Sequence, residues 1–446
     1  MLGAQAVPQP EPWTSLGRVL RHSTLYAFGN IAGRAVAFLA IPVYSRFLSP
    51  AEYGLIELVE PSTQTVAIAF GLQAVGTALA RLFHDQASEA ARNSVVSTAL
   101  VGTAVLSAVV TAAGVAGAGA ISRAVFHTDA GVWGFVSSKL IVSVAGAGFL
   151  PWRLRRDVGW HWRGVYVPEF IRFGAPLVVS GLSYFAVHFS DQFFLTAAVS
   201  LAELGRYALA YRFALMVNAL VGDSFAKSWD VSLYRHTNEA GWREQFAQVF
   251  AYFALALCTT GLAIAVFSPE LLSVMVPASF MPPALLLPVL VLAYVLRDVA
   301  DFFRSLLLIN KRAAWVGKIA LAAAAGNLAM NMLLIPAYGT FGAALATLLT
   351  WAAYLAVCWA VADWEHRLPI RVAPYAALLA LMAAVYATAA ALRGRGLLLQ
   401  ACLDGMWVAL FAGIAGLTLF SSGERRTVAR RLGGMVARAL AANAPK

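Results

Sequence analysis

Charged residues are scarce in this 446-residue sequence, at 12% of the chain, whereas hydrophobic residues make up 60% and the mean hydropathy is +0.72. A soluble domain carries about 25% charged residues, so the chain lacks the charge that would cover a water-facing surface. Its apolar residues lie in blocks of about 20, a length that crosses a hydrocarbon core as a helix. This pattern argues against a water-soluble protein and predicts an all-α, polytopic membrane bundle.

Cysteine is also rare, with three residues, Cys258, Cys358 and Cys402. They show no CxxC spacing and have no histidine nearby, so we expect apolar packing residues rather than a disulfide or a metal site. The sequence has no Walker loop, GxSxG, HExxH or dinucleotide motif. We therefore expect no catalytic residues, no cofactor and no metal.

The formal net charge is +11. The basic residues lie in short gaps between apolar blocks and form no basic domain, so nucleic acid is not an expected partner. The gaps alternate between arginine-rich and arginine-poor, which predicts that both termini are cytoplasmic. We expect about twelve spans, and a missed pair, giving fourteen, would preserve the orientation. The predicted spans are 20–41, 55–80, 94–118, 132–151, 170–199, 205–233, 245–267, 284–308, 314–336, 339–361, 373–392 and 398–420.

The longest cytoplasmic gap divides the predicted spans into two lobes. Residues 1–160 form an N-terminal lobe of about four spans, and residues 161–365 form a C-terminal lobe of about six. Residues 366–422 add two further spans, and residues 423–446 form a basic cytoplasmic tail.

Charged residues inside apolar spans are the main functional signal, because such charges usually face a hydrated cavity or a partner. In span 205–233, Arg212, Asp223, Lys227 and Asp230 lie near one helical line. This stripe indicates either a cavity that binds an anionic headgroup or a packing stripe that neutralises itself.

Span 284–308 repeats the pattern. Arg297, Asp301 and Arg304 share a face at i, i+4 and i+7. In the first interpretation the two arginines belong to a cationic substrate-binding cavity. In the second they pair with the aspartate on their own helix.

The first two spans carry further polar candidates. Asn30 and Arg34 lie deep in the first block, where the arginine either needs an anionic partner or extends its side chain to the interface. Glu57 and Glu60 open the second span. They could pair with Arg34, take up a proton during transport, or simply be solvated.

Span 170–199 places Ser180, Tyr184, His188 and Asp191 along one stripe. Such groups could bind sugar hydroxyls or relay protons. A satisfied polar seam between helices explains them equally well.

Two stretches resemble the polysaccharide transporters, which include the Wzx-type flippases of the multidrug/oligosaccharidyl-lipid/polysaccharide (MOP, or MATE-like) superfamily. Residues 20–59 contain an apolar span with a central arginine followed by IPVYSRFLSPAEYG. Residues 170–213 are similar to the start of the family's second lobe and keep its landmarks Pro176, Asp191, Gly205 and Tyr207. Gln192 stands where the family often has arginine.

The resemblance implies a two-lobed bundle that moves a lipid-linked oligosaccharide across the membrane by alternating access. It also implies a cationic cavity for the diphosphate, built from Arg34 and Arg212 with Lys227 or Arg297 as further positions. The expected partners are the lipid-linked oligosaccharide, membrane lipids and polysaccharide polymerase or assembly proteins, and the expected location is the bacterial cytoplasmic (inner) membrane. The family usually has six front-lobe spans, so the front lobe of this chain is expected to be shortened.

Two other functions remain open from the residues. A MATE-like small-molecule antiporter would depend on Asp191, Glu57 and Glu60 rather than on the arginines. A membrane-embedded glycan polymerase or transferase would use residues in the outer gaps, which are short and carry few acidic groups.

Overall fold

The structure is a computed structural model, and within the residues that it describes every regular element is helical. Those residues are 38–69, 71, 75, 78–79, 82–83, 86, 88–121, 152–153, 162–226, 229, 233, 241–309, 313–394 and 396–420. Most of the first predicted span, the fourth predicted span and the basic tail lie outside them.

The described helices confirm the predicted all-α class, and their bounds lie close to the predicted spans. A π-helical turn, Asn218–Gly222, continues α5. The helices are α1 Ile41–Phe47, α2 Pro50–Ala69, α3 Glu89–Ile121, α4 Val167–Ala198, α5 Leu201–Val217, α6 Trp242–Met275, α7 Leu286–Ile309, α8 Ala313–His366, α9 Val372–Ala391 and α10 Leu397–Leu419.

Helix α8 is 54 residues long and consists of two spans joined by a break at Gly339. Gly339 has φ 56° and ψ −132°, a conformation that glycine adopts readily, and Pro336 precedes it. Asn327 Nδ2 donates to Thr350 Oγ1 at 3.2 Å. These two residues lie at nearly equal distances before and after the break, so the two halves of α8 run antiparallel, as the separate spans 314–336 and 339–361 predicted.

This bundle buries several polar side chains in its interior and exposes many large apolar residues on its outer surface. Leu398 is 83% exposed, whereas Asn327 and Asp404 are fully buried. This reversal of the soluble pattern is expected when the outer surface contacts lipid. Five of the described helices are long and apolar enough to cross a membrane: Glu89–Val109, Trp242–Met275, Trp315–His366, Val372–Ala391 and Leu397–Leu419.

Helix α5 links the front of the chain to the back. Its start is fixed by a capping box, in which Ser200 Oγ accepts from the backbone N–H of Glu203 at 3.2 Å and the Glu203 carboxylate accepts from the backbone N–H of Ser200 at 3.2 Å. One side of α5 packs along α2, and the other packs against α6 and α7. Helix α8 packs most extensively against α7 and α4. The front helices therefore meet the back of the bundle mainly at the contact of α2 with α5.

Candidate functional site

An ion pair joins α2 to α5 in the interior of the bundle. Arg212 Nη2 lies 2.6 Å from Glu57 Oε1, and the two side chains are 29% and 9% exposed. The guanidinium carbon of Arg212 also lies 5.9 Å from the ring centroid of Tyr53, one turn before Glu57. Opposite charges attract strongly in a poorly hydrated site. The pair is therefore a strong electrostatic connection between the front and back helices.

Two glycines let α2 and α5 approach closely near this pair. A Cβ added at Gly54 would lie 2.9 Å from the backbone N of Gly205, and a Cβ added at Gly205 would lie 3.1 Å from the backbone N of Gly54. Small residues at such crossings allow helix backbones to touch in membranes. We call the end of the bundle at which α2 and α5 begin the Gly54 end.

Further contacts seal the Gly54 end. The rings of Tyr53 and Phe280 meet edge to face with centroids 5.8 Å apart. Ser45 Oγ donates to the backbone carbonyl of Met275 at 3.4 Å. The front helices are thus closed against the α6–α7 connection at this end.

The charged stripe of α7 is largely paired on its own helix. Asp301 Oδ1 lies 2.7 Å from Arg304 Nε, and Asp301 Oδ2 lies 3.6 Å from Arg297 Nη2. Asp298 Oδ1 lies 3.8 Å from Arg297 Nη1. The geometry agrees with the self-paired interpretation of the stripe, with Asp301 between two arginines.

Arg297 also lies among three aromatic rings. Its guanidinium carbon is 6.0 Å from the ring centroid of Tyr184, 5.9 Å from that of Tyr294 and 5.7 Å from that of Trp351. Arg297 is 8% exposed and Tyr184 is 53% exposed. Cation–π contacts stabilise a guanidinium that has lost most of its water. The buried positive charge of Arg297 therefore lies next to the ring of Tyr184, a residue that is more than half exposed.

His188 and Asp191 form a buried polar seam between α4 and the tyrosines of α5 and α7. The Tyr207 hydroxyl donates to Asp191 Oδ2, and the Tyr211 hydroxyl donates to the backbone carbonyl of His188 at 2.6 Å. His188 Nδ1 lies 3.2 Å from the Tyr294 hydroxyl. These contacts agree with the packing interpretation of the predicted stripe, because both side chains bond to neighbouring helices.

A second seam, which the sequence analysis did not identify, links α4 to the first half of α8. Ser190 Oγ donates to Asn327 Oδ1 at 3.1 Å, and Asn331 Nδ2 donates to Ser190 Oγ at 3.1 Å. Asn327 and Asn331 are fully buried. Their i, i+4 spacing in an otherwise apolar run was the available signal. Uncharged side chains of this kind hold membrane helices together by hydrogen bonding.

The π-helical turn changes the predicted stripe on α5. The wider turn alters the angular register between Arg212 and Asp223, so the two no longer follow one straight helical line. Asn218, in that turn, donates to Asp298 Oδ1 at 2.7 Å. The turn therefore ties α5 to α7.

The structure brings together only part of the predicted cationic cavity. Among the described residues, three arginines lie within 4 Å of three carboxylates: Arg212, Arg297 and Arg304 with Glu57, Asp298 and Asp301. An excess of positive charge would have to come from other predicted members. Asn30, Arg34, Lys227, Asp230 and the side chain of Glu60 lie outside the described part of the chain.

An apolar cavity of about 280 Å³ lies between α6, α7, the second half of α8 and α9. Its lining includes Phe250, Val295, Trp359 and Tyr375 and contains no charged residue. It therefore offers no counter-charge to an anionic headgroup. Within the described residues, no group of three or more His, Cys, Asp or Glu could hold a metal ion.

Comparison with known proteins supports the resemblance noted in the sequence. Residues 103–284 match the family model described as "Polysaccharide biosynthesis protein", and this match confirms the predicted relation. The fold is similar to that of a solved structure of the lipid II flippase MurJ in an inward closed conformation. That comparison has a TM-score of 0.63 at 12% identity and covers 90% of this chain and 99% of that one. A search of curated proteins gave no significant match.

Proposed function

We propose that this chain is a flippase that moves a polyprenyl-diphosphate-linked oligosaccharide across the cytoplasmic membrane by alternating access. The family match and the shared fold support this proposal. The observation that carries the mechanism is the ion pair of Arg212 with Glu57, because it connects the front and back helices through a group that also binds phosphate.

In the proposed mechanism, the diphosphate displaces Glu57 from Arg212. Guanidinium binds phosphate and carboxylate with the same planar geometry. A diphosphate carries more negative charge than one carboxylate and competes for the same donors. Once Arg212 binds the diphosphate, its ion pair with Glu57 between α2 and α5 is lost and the helices are able to separate.

The orientation follows from the arginine distribution. We place both termini in the cytoplasm and the Gly54 end on the extracytoplasmic side, in a bacterial inner membrane. The contacts around Gly54 and Gly205 then form the closed outer gate of a state that takes up substrate from the cytoplasm.

In the proposed mechanism each predicted domain has its own role. Residues 1–160 and 161–365 form the two moving lobes, residues 366–422 add two further spans, and residues 423–446 are the predicted basic cytoplasmic tail. The transport step needs no covalent chemistry, because protein groups replace the hydration of the headgroup during crossing. Membrane lipids surround the bundle, and polymerase or assembly proteins consume the product.

The test is the transfer of a fluorescent polyprenyl-diphosphate glycan across proteoliposome membranes. We expect Arg212→Ala to abolish transfer, because the diphosphate loses its main partner. Glu57→Gln leaves Arg212 in place and should retain transfer. Arg34→Ala extends the test to the first predicted span. The matched control is Arg243→Ala, because Arg243 is an exposed arginine on α6.

Folded Arg212→Ala protein that transfers the glycan at the wild-type rate would overturn the proposed role of the ion pair. Loss of transfer in Arg243→Ala as well would indicate a general effect of lost positive charge. If the protein exported drugs but transferred no glycan, and the export depended on Asp191, Glu57 and Glu60, the antiporter alternative would be favoured.

A further inference from the structure

A second polar cluster lies at the Gly54 end, among the peripheral helices. Helix α6 continues past Pro269 to Met275 and carries Glu270 to this end of the bundle. Arg393 follows α9, and Gln400 and Asp404 lie one turn apart near the start of α10. The three helices pack against one another.

Asp404 is the centre of this cluster. It is fully buried, and its Oδ1 accepts from Gln400 Nε2 at 2.9 Å. The carboxyl group of Glu270 lies within hydrogen-bonding range of the Asp404 carboxyl group and close to Arg393. Arg393 Nη2 donates to the backbone carbonyl of Val266 at 2.8 Å. Tyr386 of α9 lies near Arg393.

Three oxygens of the cluster are buried without a hydrogen-bond donor: Glu270 Oε2, Gln400 Oε1 and Asp404 Oδ2. Buried polar atoms of this kind are normally satisfied. Two facing carboxylates would also repel each other strongly in an apolar site. The arrangement therefore lacks a positively charged or donating group at the point where the two carboxyl groups meet.

A single proton between the two carboxyl groups supplies the missing hydrogen-bond donor and removes their repulsion. When it resides on Asp404 Oδ2, the resulting hydroxyl donates to the Glu270 carboxylate, so one bond satisfies two of the unpaired oxygens. Glu270 then carries one negative charge, which Arg393 balances. Without that proton, the cluster of Glu270, Asp404 and Arg393 would retain a net negative charge in a site from which Asp404 has no access to water.

We propose that Glu270 and Asp404 form a proton-binding site that attaches α10 to α6 at the Gly54 end. A metal ion fits the geometry less well, because Gln400 already occupies Asp404 Oδ1 and Arg393 already supplies a positive charge. Loss of the proton leaves facing carboxylates and weakens the contact of α10 with α6. The site and its test do not depend on the identity of the transported substrate.

Infrared spectroscopy of the full chain in nanodiscs tests the site directly. A protonated carboxyl group gives a carbonyl stretching band that a carboxylate lacks. We expect this band in the wild type and its loss when alkaline titration removes the proton from between the two carboxyl groups. Asp404→Asn should remove it, and Glu89→Gln, which removes an exposed carboxylate at the start of α3, should leave it unchanged.

The pH dependence of thermal stability provides a second readout on the natural chain. In the unfolded chain both carboxyl groups are ionised above about pH 4. The folded chain then holds one proton more than the unfolded chain, so this contribution to stability falls as pH rises through the titration of the site. Asp404→Asn keeps a donor facing Glu270 and should lack this pH dependence. Glu270→Gln should change it as well.

Two results would overturn the proposal. One is a carboxyl band or a pH profile that is the same in the wild type and in folded Asp404→Asn. The other is a stability change that follows the replacement of choline by sodium at constant pH, which would indicate a metal-ion site. Neither measurement requires substrate transfer, so a failure here is distinguishable from a failure of the proposed flippase.

Discussion

Arg212 and Glu57 come from distant parts of the chain, and each makes the burial of the other tolerable. Arg212 Nη2 and Glu57 Oε1 are 2.6 Å apart. Removing one member of a buried pair leaves an uncompensated charge, whereas removing both leaves none. The stability of single and double variants therefore reports on the pair itself.

We expect Arg212→Ala to lower the free energy of unfolding by about 2–4 kcal/mol, with the exposed fraction of Arg212 keeping the loss below that of a fully buried pair. Adding Glu57→Gln should restore part of this loss, because the lone carboxylate is then neutral. Denaturant unfolding in detergent micelles would measure the coupling in a double-variant cycle. Additive losses in the cycle would show that the two side chains do not stabilise each other.

The sequence predicted several of the charged residues inside the membrane but not all of their partners. Intramembrane charges at Glu57, Arg212 and Arg297 were identifiable because each interrupts an apolar block. The pairing of Arg297 with Asp301 on its own helix was one of the predicted alternatives. The pairing of Arg212 with Glu57 was not predicted, since Glu57 could have paired with Arg34 or faced water. Asp404 was overlooked, although it is the one charged residue in α10. Glu270 lies beyond the predicted span 245–267, whereas α6 continues to Met275.

At the scale of helices, the crossing of α2 and α5 depends on the absence of two side chains. A Cβ at Gly205 would meet the backbone of Pro50 and Gly54. Backbone atoms cannot move aside as the end of a flexible side chain can. Even alanine therefore requires the helices to separate.

We expect Gly205→Ala to destabilise the closed Gly54 end by about 1–3 kcal/mol, a typical result of overpacking. The matched control is Gly416→Ala on α10, where an added Cβ would meet nothing within 4 Å. Thermal unfolding in detergent compares the two variants. Equal melting temperatures would show that the helices do not cross as closely as the structure indicates.

The helices themselves were largely predictable. Spans 314–336 and 339–361 correspond to the two halves of α8, because hydropathy and the Pro336–Gly339 break are local signals. The π-helical turn after α5 was not predicted. It depends on packing against α7, where Asn218 bonds to Asp298, and no local pattern marks it.

At the scale of the whole molecule, the contacts require alternating helix directions. The end of α6 meets α1, which directly precedes α2, at the Gly54 end, as the contact of Ser45 with Met275 shows. Arg206 Nε, near the start of α5, donates to the backbone carbonyl of Ser279 at 2.9 Å in the connection after α6. The arginine pattern predicts that this end faces the extracytoplasmic side.

Paired reporter fusions test that assignment. We expect a fusion at the C-terminus to give cytoplasmic reporter activity, because the tail is rich in arginine. A reporter inserted at Ser279 should be active only outside the membrane. The reverse result would invert the topology and place the Gly54 end in the cytoplasm. Equal activity of both reporters at one site would indicate mixed insertion.

The pairing of Arg212 with Glu57 also bears on leakage across the membrane. An unpaired guanidinium within the bundle would attract chloride and other small anions. A carboxylate 2.6 Å away already satisfies it, and chloride, with one charge and no planar pair of acceptors, is a weak competitor. Under the proposed function, the resting protein would therefore remain insulating between transport cycles, and only an anion that outcompetes Glu57 for Arg212 would open a path.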